Sequence, residues 1–215
     1  MHFLIRNNKM KKNRFYSRYK KTLLLLLFTL PVLTVHADSL EVKKGMTLWY
    51  KIIHGTDSIK LEVRILEVSS QVSFDFIVRG NHGFYGRVMM SPEALQTGLK
   101  QFNFSMKGDV SLKDATSLWI SQLVYNTLKN VGEMKMAIQK EEKNYKRTMY
   151  TNYLVKKDGK MITIPCMLVE SDGNLKEQFF IADNKDFPII LSMNLGFPFE
   201  LIQIDSPKET PEINK

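Results

Sequence analysis

The sequence predicts a mainly β (α+β) fold, in which a large curved antiparallel sheet or half-barrel has two short helices packed on it. Three observations lead to this prediction. Apolar and polar residues alternate through most of the chain after residue 38, and a period of two is typical of half-buried strands. Clusters of Gly, Asn, Asp and Ser separate these runs at short intervals and predict turns. Helical spacing is confined to two short segments between strands, which argues against a parallel βαβ arrangement.

The first half of the predicted domain is a meander of four strands. In 59–65 every odd position is apolar and every even position is charged, so one face of this strand is buried and the other is solvated. The segment 55–58 is rich in turn residues and joins this strand to the preceding one. The four strands are predicted at Leu48–Ile53, Ile59–Ile65, Val72–Val78 and Phe84–Met90.

A first helix is predicted after the fourth strand. Ser91-Pro92-Glu93 provides a capping hydroxyl, a proline suited to the first helical position and a carboxylate near the positive end of the helix. Gly98 is a suitable end, which gives about two turns. Beyond it, Phe102, Phe104 and Met106 alternate as a further strand.

The second helix is predicted to begin at Ser121 and to end at Gly132, because Val124 and Leu128 follow helical spacing between them. The four residues before it, Ser117–Ile120, fit neither period. The sequence pattern therefore predicts neither a helix nor a strand for these four residues.

The last part of the chain returns to strands. A strand is predicted at 134–138, and the polar segment Gln139–Arg147 is expected to be an exposed loop or a strand end. The runs Thr148–Val155 and Met161–Val169 flank Asp158-Gly159, a pair typical of two-residue hairpin turns whose central residues need positive φ. The remaining strands are predicted at Glu177–Ala182, Pro188–Leu195 and Phe199–Ile204.

The first 37 residues have the pattern of a secretory signal peptide. A basic stretch ends at Lys21, an apolar run covers 23–33, and Val35-His36-Ala37 places compact residues at the −3 and −1 positions. The apolar run is shorter than the roughly 20 residues that a membrane-spanning helix needs. We therefore expect export by a Sec-type route, with cleavage after Ala37 and a periplasmic or secreted product. The alternative is an uncleaved membrane anchor.

The domain organisation follows from this cleavage site: a signal peptide at 1–37, one β-rich domain at 38–205 and a flexible tail at 206–215. Contact with a membrane is then expected only through the signal peptide, before cleavage. A single cysteine, Cys166, lies in an apolar run and excludes a disulfide framework within the chain. The expected role of Cys166 is that of a small buried hydrophobic residue.

The net charge of +9 does not indicate a nucleic-acid-binding protein. Eight of the 31 Lys and Arg residues lie in 1–37, where there is no Asp or Glu, so 38–215 contain 23 basic and 22 acidic residues. Binding to a polyanion requires several cations acting together on the folded domain. No nucleic-acid partner is expected.

No pattern of catalytic or metal-binding residues stands out. After the predicted cleavage site the histidines are His54 and His82, each beside a glycine in a predicted turn, and a zinc site needs more ligands than these. The pair Glu141-Glu142 lies in a lysine-rich run and is expected to be solvated. Nucleophile elbows and phosphate loops are absent from the sequence. We therefore predict no enzymatic activity, no cofactor and no metal.

Large apolar side chains are the most conspicuous feature of the chain. Phe and Met together are suited to line an adaptable pocket for an acyl chain, whereas the alternative interpretation is an ordinary hydrophobic core. The residues predicted to line a ligand cavity on the curved sheet are Phe74, Phe76, Phe102, Phe104, Met106, Val124 and Leu128.

The order of these elements resembles that of the periplasmic lipoprotein-carrier (Lol-type) half-barrels: long alternating strands, two short helices in mid-chain and further strands over Asp38–Asp205. The resemblance implies a bent antiparallel sheet capped by helices, with a cavity for lipid. It rests on element order alone, and no motif residue transfers from the family to this chain.

The sequence is compatible with three hypotheses about function. The first is a non-enzymatic exported protein that binds an apolar ligand, an acyl chain or a lipoprotein, in the cavity of the sheet. The second is an envelope or secretion accessory protein with a solid core, which acts through an exposed apolar patch or a free strand edge. The third, a hydrolase, requires His54 or His82 to lie near a Ser and an acid in a cleft.

The signal peptide gives a direct prediction. When the full chain is expressed in a bacterium, the exported product should begin at Asp38, as N-terminal sequencing or intact mass would reveal. An Ala37→Leu variant should keep its leader, because cleavage requires a small residue at the −1 position. Retention of the leader by the unaltered chain would contradict the prediction and favour the membrane anchor.

Overall fold

The computed structural model of the chain describes residues 40–80, 83–102, 108–138, 141–173 and 177–208, all within one compact unit. The predicted signal peptide, His82, Phe104, Met106 and the tail beyond 208 lie outside these described residues. About 62% of the described residues are in strands and 10% in helices. The prediction of a mainly β fold with a large curved sheet and two helices is thus confirmed.

The four predicted N-terminal strands form an antiparallel meander, because each has one apolar face and a short turn to the next. The charged residues that alternate with apolar ones in these strands lie on the outer faces, where they form ion pairs and hydrogen bonds. The carboxylate of Glu62 accepts hydrogen bonds from Arg64, at 3.2 Å, and from Arg79 on the next strand. The Arg79 guanidinium lies 5.7 Å from the Trp49 ring centroid, and the Trp49 indole donates to Asp205 at 2.7 Å. The meander strands are β1 Thr47–His54, β2 Asp57–Val68, β3 Val72–Arg79 and β4 Phe84–Met90.

Both predicted helices begin at the serine caps that the sequence indicates. The Ser91 hydroxyl accepts the Ala94 N–H at 3.1 Å and starts helix α1, Pro92–Thr97. The Ser121 hydroxyl accepts the Val124 N–H at 3.2 Å and starts helix α2, Gln122–Asn130. Three short strands lie between the helices: β5 Lys100–Gln101, β6 Val110–Leu112 and β7 Ala115–Thr116.

A long hairpin dominates the C-terminal half. Its turn has Asp158 at φ 48° and Gly159 at φ 85°, which confirms the predicted two-residue turn with two positive φ angles. The segment predicted as a loop or strand end at 139–147 is, from Glu141 onward, the start of a long strand. The C-terminal strands are β8 Glu133–Ile138, β9 Glu141–Lys157, β10 Lys160–Ser171, β11 Gln178–Ala182, β12 Ile190–Asn194 and β13 Pro198–Asp205.

The described strands form a single sheet of 13, in the order β6-β4-β3-β2-β1-β13-β12-β11-β10-β9-β8-β5-β7. The sheet is mixed rather than wholly antiparallel, because β4–β6, β5–β7, β5–β8 and β9–β13 pair in parallel. The pairing of β9 with β13 also joins the two ends of the series β9 to β13, so these five strands form a closed ring of pairings.

The interior of the described fold is filled by one hydrophobic core. Its largest buried side chains are aromatic and include Phe74, Phe76, Trp119, Phe179 and Phe199. Residues 40–46, which precede the first strand, also contribute three buried apolar side chains. Apolar packing of this kind is the main favourable term in folding. The core is therefore continuous from the N-terminal meander to the last strand.

A close approach of two glycines gives a test of the packing between β4 and the chain before β6. A Cβ atom placed on Gly86 would lie 2.1 Å from the Gly108 carbonyl oxygen and 2.8 Å from the Phe76 ring. Gly86→Ala should therefore lower the free energy of unfolding by about 1–3 kcal/mol, because backbone must move to admit the methyl group.

The matched control for this change is Gly80→Ala, since a Cβ at Gly80 meets nothing within 4 Å and the residue needs no positive φ. We expect this variant to stay within about 0.5 kcal/mol of the parent chain. Urea unfolding followed by circular dichroism measures both. Equal stability of the two variants would contradict the close approach.

Candidate functional site

The candidate site is a groove of about 580 Å³ at the surface, which we call the helical groove. It lies where the β2–β3 turn, both helices and the loop between β11 and β12 meet, and its apolar lining includes Val72, Leu95, Trp119, Ile120 and Phe187. Ligand pockets in proteins have volumes of about 300–1,000 Å³ and a mostly apolar lining with a few polar groups. The volume of the helical groove lies in this range, but its lining is more polar, with seven apolar and seven polar residues.

Trp119 forms the floor of the helical groove. It is 2% exposed and its ring stacks on Phe74, with centroids 5.9 Å apart and planes 24° apart. Its indole N–H has no acceptor among the described residues. The floor is thus continuous with the hydrophobic core beneath it.

The chain segment that carries Trp119 is held by backbone hydrogen bonds to the start of β12. The Ile190 N–H donates to the Leu118 carbonyl at 2.7 Å, and the Ile120 N–H donates to the Pro188 carbonyl at 3.0 Å. Leu118 has φ of 60°, an uncommon value for a residue other than glycine. The buried carboxamide of Gln101 lies beside this segment, and with its O and N exchanged it accepts the Leu118 N–H at 3.2 Å and donates to the Trp119 carbonyl at 3.1 Å.

The rim of the helical groove is polar and nearly neutral. It has one cation and one anion, Lys185 and Asp186, together with two serines and three side-chain amides. The amide of Gln122 donates to the Lys185 carbonyl at 2.5 Å and joins the start of α2 to the opposite wall. Such a rim can select a ligand through hydrogen bonds rather than through net charge.

Three residues dock α2 beside the helical groove. The Tyr125 hydroxyl donates to Asp183 at 2.6 Å, and the Lys129 ammonium donates to the same oxygen at 2.6 Å and to the Tyr125 oxygen at 3.1 Å. Burial, and then the bond to Asp183, raise the pKa of Tyr125 to about 12. Burial alone would raise the pKa of Asp183, but the bonds from Lys129 and Tyr125 hold it below its ordinary value.

The residues predicted to bind a ligand do not line the helical groove. Phe74 and Phe76 are 0% and 1% exposed in the core, Val124 and Leu128 are also buried, and Phe102 packs half-buried against the same core. The other two, Phe104 and Met106, lie outside the described residues. A role of these side chains in ligand binding stays a prediction. Phe74 comes nearest to the groove, since it supports Trp119.

Sequence reasoning missed the groove residues because their contacts are long-range. Trp119 lies in the segment 117–120 that fits neither period, and Leu95 and Phe187 come from a short helix and a loop. One signal was available: a tryptophan in an apolar tetrapeptide directly before a helix cap. A large aromatic residue at such a place is usually buried where helix and sheet meet.

The reactive side chains of the described residues lie apart. No three His, Cys, Asp or Glu residues within the described ranges are grouped closely enough to hold a metal ion. His54 is exposed at the end of β1, and Cys166 is buried. Burial, and then the charge of Asp183, raise the pKa of the Cys166 thiol to about 12, as expected for a buried hydrophobic residue. The helical groove therefore offers apolar contact and hydrogen bonds.

None of the helices in the described part of the chain has the length and apolar character needed to cross a bilayer. No family model, curated protein or solved structure matches this chain. The resemblance to lipoprotein carriers thus stays a prediction.

The docking of α2 predicts a pH-dependent loss of stability. Asp183→Asn should lower the free energy of unfolding at pH 7 by about 1–2 kcal/mol, because two donors lose a charged acceptor. A carboxylate with a lowered folded-state pKa stabilises the fold above its unfolded-state pKa of about 4, and that contribution is lost as the pH falls through the folded-state value. The difference between parent and variant should therefore shrink between pH 5 and pH 3.

Urea unfolding at a series of pH values tests this expectation. The control is Asp186→Asn, a nearby exposed carboxylate with no ion pair among the described residues; it should change stability by less than about 0.5 kcal/mol. A difference for Asp183→Asn that is the same at every pH would show that the carboxylate charge does not dock the helix.

Proposed function

We propose that this chain is an exported, non-enzymatic protein that binds an apolar ligand, such as an acyl chain, in the helical groove. The observation that carries the proposal is an open groove with an apolar floor and a hydrogen-bonding rim. The leader pattern of residues 1–37 supports export. We place the ligand in this groove rather than on the sheet because Phe74, Phe76, Val124 and Leu128, which the sequence assigned to the sheet cavity, are buried.

The lining suits a ligand that has an apolar body and a small polar end. Val72, Trp119 and Ile120 present apolar surface at the bottom, where each buried methylene contributes about 0.8 kcal/mol. Gln96, Asn126 and Lys185 are exposed on the rim and can donate hydrogen bonds to a carboxylate or ester oxygen. A lipidated protein segment would present the same chemistry through its acyl chain.

A second candidate function is that of an envelope or secretion accessory protein that acts through protein contacts. Two observations favour it: the interior of the described fold is filled, and apolar side chains of the β9–β10 hairpin are exposed. Exposed apolar patches of this kind often mark interaction sites. The two functions do not exclude each other, because the helical groove and the hairpin are formed by different residues.

Fluorescence tests the ligand proposal. The chain has two tryptophans, so a Trp49→Phe variant leaves Trp119 as the only reporter, at the floor of the groove. Titration of the delipidated, exported chain with a dansyl-labelled fatty acid should give saturable energy transfer from Trp119. In the same background, Leu95→Gln should weaken binding by at least about tenfold, because it removes about 1.5 kcal/mol or more of apolar contact.

The matched control is Leu123→Gln, since Leu123 is 42% exposed on α2 and does not line the groove. This variant should bind as the Trp49→Phe parent does. Absence of saturable transfer at micromolar ligand would overturn the proposal, and so would equal losses in the two leucine variants.

A further inference from the structure

The middle of β9 has an unpaired edge. On the side away from β10, β9 pairs with β8 as far as Lys146 and with β13 at Lys156 and Lys157. Between these positions no described strand pairs with that side. The strands at the two ends of the sheet, β6 and β7, have only three and two residues, and short end strands limit edge-to-edge association. The open stretch in β9 is longer than either.

Pro165 on the neighbouring strand β10 shows to which side the N–H and C=O groups of β9 are directed. The Pro165 carbonyl accepts the Asp183 N–H at 2.8 Å, so its backbone faces β11 rather than β9. Pro165 lies directly opposite Asn152, and in an antiparallel pair of this kind both residues direct their N–H and C=O groups away from each other. The backbone groups of Asn152 therefore point to the open side.

Residues two positions apart in a strand direct their backbone groups to the same side, so the N–H and C=O groups of Tyr150 and Leu154 also point to the open side. Lys156, two residues beyond Leu154, pairs with β13 on this same side, as the alternation requires. None of the backbone groups of Tyr150, Asn152 and Leu154 has a partner on the open side among the described residues. Six hydrogen-bonding groups are thus available over about 17 Å of strand.

Two exposed side chains with apolar surface, Tyr150 and Leu154, flank the exposed Asn152 on this edge. Tyr150 is 49% and Leu154 is 63% exposed, on the same face of β9, and Met161 of β10 is 60% exposed on that face beside them. Side chains of an added strand would pack against such residues, because directly opposed and diagonal neighbours on one face of a sheet are in contact.

Positive charge flanks the open edge. Lys156, Lys157 and Lys160 lie at the hairpin tip and form no ion pair within the described part of the chain. The only acidic residue of the tip, Asp158, accepts the backbone N–H of Ser206 at 2.8 Å and its hydroxyl at 2.5 Å. Arg147 stands at the other end of the edge.

This charge pattern disfavours a second copy of the chain as the occupant. Antiparallel pairing of two β9 edges about Asn152 would place Lys157 of one copy opposite Arg147 of the other, and like charges opposite each other are destabilising. Acidic residues at the ends of an incoming strand would instead meet these cations and gain attraction.

We propose that the open edge of β9 binds an extended segment of another protein, with alternating apolar residues and acidic residues at its ends. The partner strand forms hydrogen bonds with Tyr150, Asn152 and Leu154, and its apolar side chains pack on Tyr150 and Leu154. One of its acidic ends contacts the lysines of the hairpin tip and the other contacts Arg147. Strand addition to a free sheet edge is a recurrent mode of peptide recognition. This site is separate from the helical groove and does not depend on ligand binding there.

Two substitutions of one residue test the backbone contact. Asn152→Pro removes the N–H on the open side and loses no hydrogen bond to β10, whereas Asn152→Ala removes the side chain and keeps the N–H. The probe is a fluorescein-labelled peptide with an alternating Val-Thr core between two Glu pairs, and the readout is fluorescence anisotropy with the full exported chain. We expect saturable binding that Asn152→Pro weakens at least about tenfold and Asn152→Ala leaves unchanged.

If the proline variant proves unstable in a thermal melt, a variant with reversed charge at the hairpin tip tests the proposal instead. Lys156→Glu with Lys160→Glu should abolish binding of the acidic peptide, and a peptide with Lys pairs in place of the Glu pairs should not bind the parent chain. Equal binding by the proline and alanine variants would overturn the proposal. So would dimerisation of the parent chain that Asn152→Pro removes, or adsorption to phosphatidylglycerol vesicles that the peptide does not displace.

Discussion

The last strand, β13, is the element on which the rest of the described structure depends. It pairs with β1 over Thr47–Ile52, with β12 at its start and with the tip of the β9–β10 hairpin at its end. In the strand order it is the only link between the N-terminal meander and the C-terminal strands. The β1–β13 pairing joins residues about 150 positions apart, and such contacts form at a high entropic cost that a large buried core must offset.

Closure by β13 explains why the described residues share one hydrophobic core. Once the two halves are joined, the apolar faces of the meander and of the C-terminal strands converge on one core, and the buried segment around Trp119 occupies the space between the sheet and the helices. Close packing leaves little internal volume. The proposed ligand site therefore lies above Trp119, in the helical groove, whereas Phe74 and Phe76 are buried in the core.

The same closure creates the open edge of β9. The hairpin extends past the short strands β11 and β12 to reach β13, while β8 covers only the other end of β9. Because β9 has 17 residues and its neighbouring strands are shorter, part of its edge remains unpaired. The helical groove and this edge therefore have a common origin in the topology but use different residues, so each can be altered without the other.

The sequence by itself determined the local features: the alternation of 59–65, the serine caps of both helices and the turn at Asp158-Gly159. Each of these depends on residues only a few positions apart, whose preferences act before any tertiary contact forms. Residues 117–120 and the start of β9 at Glu141 had no clear local pattern, because long-range hydrogen bonds to β12 and cross-strand pairing with β8 define them. The apolar pattern indicated that Phe74 and Val124 are buried, but not whether they face a ligand or a solid core. The groove and the free edge were decided only by the tertiary structure, since they depend on which distant strands meet.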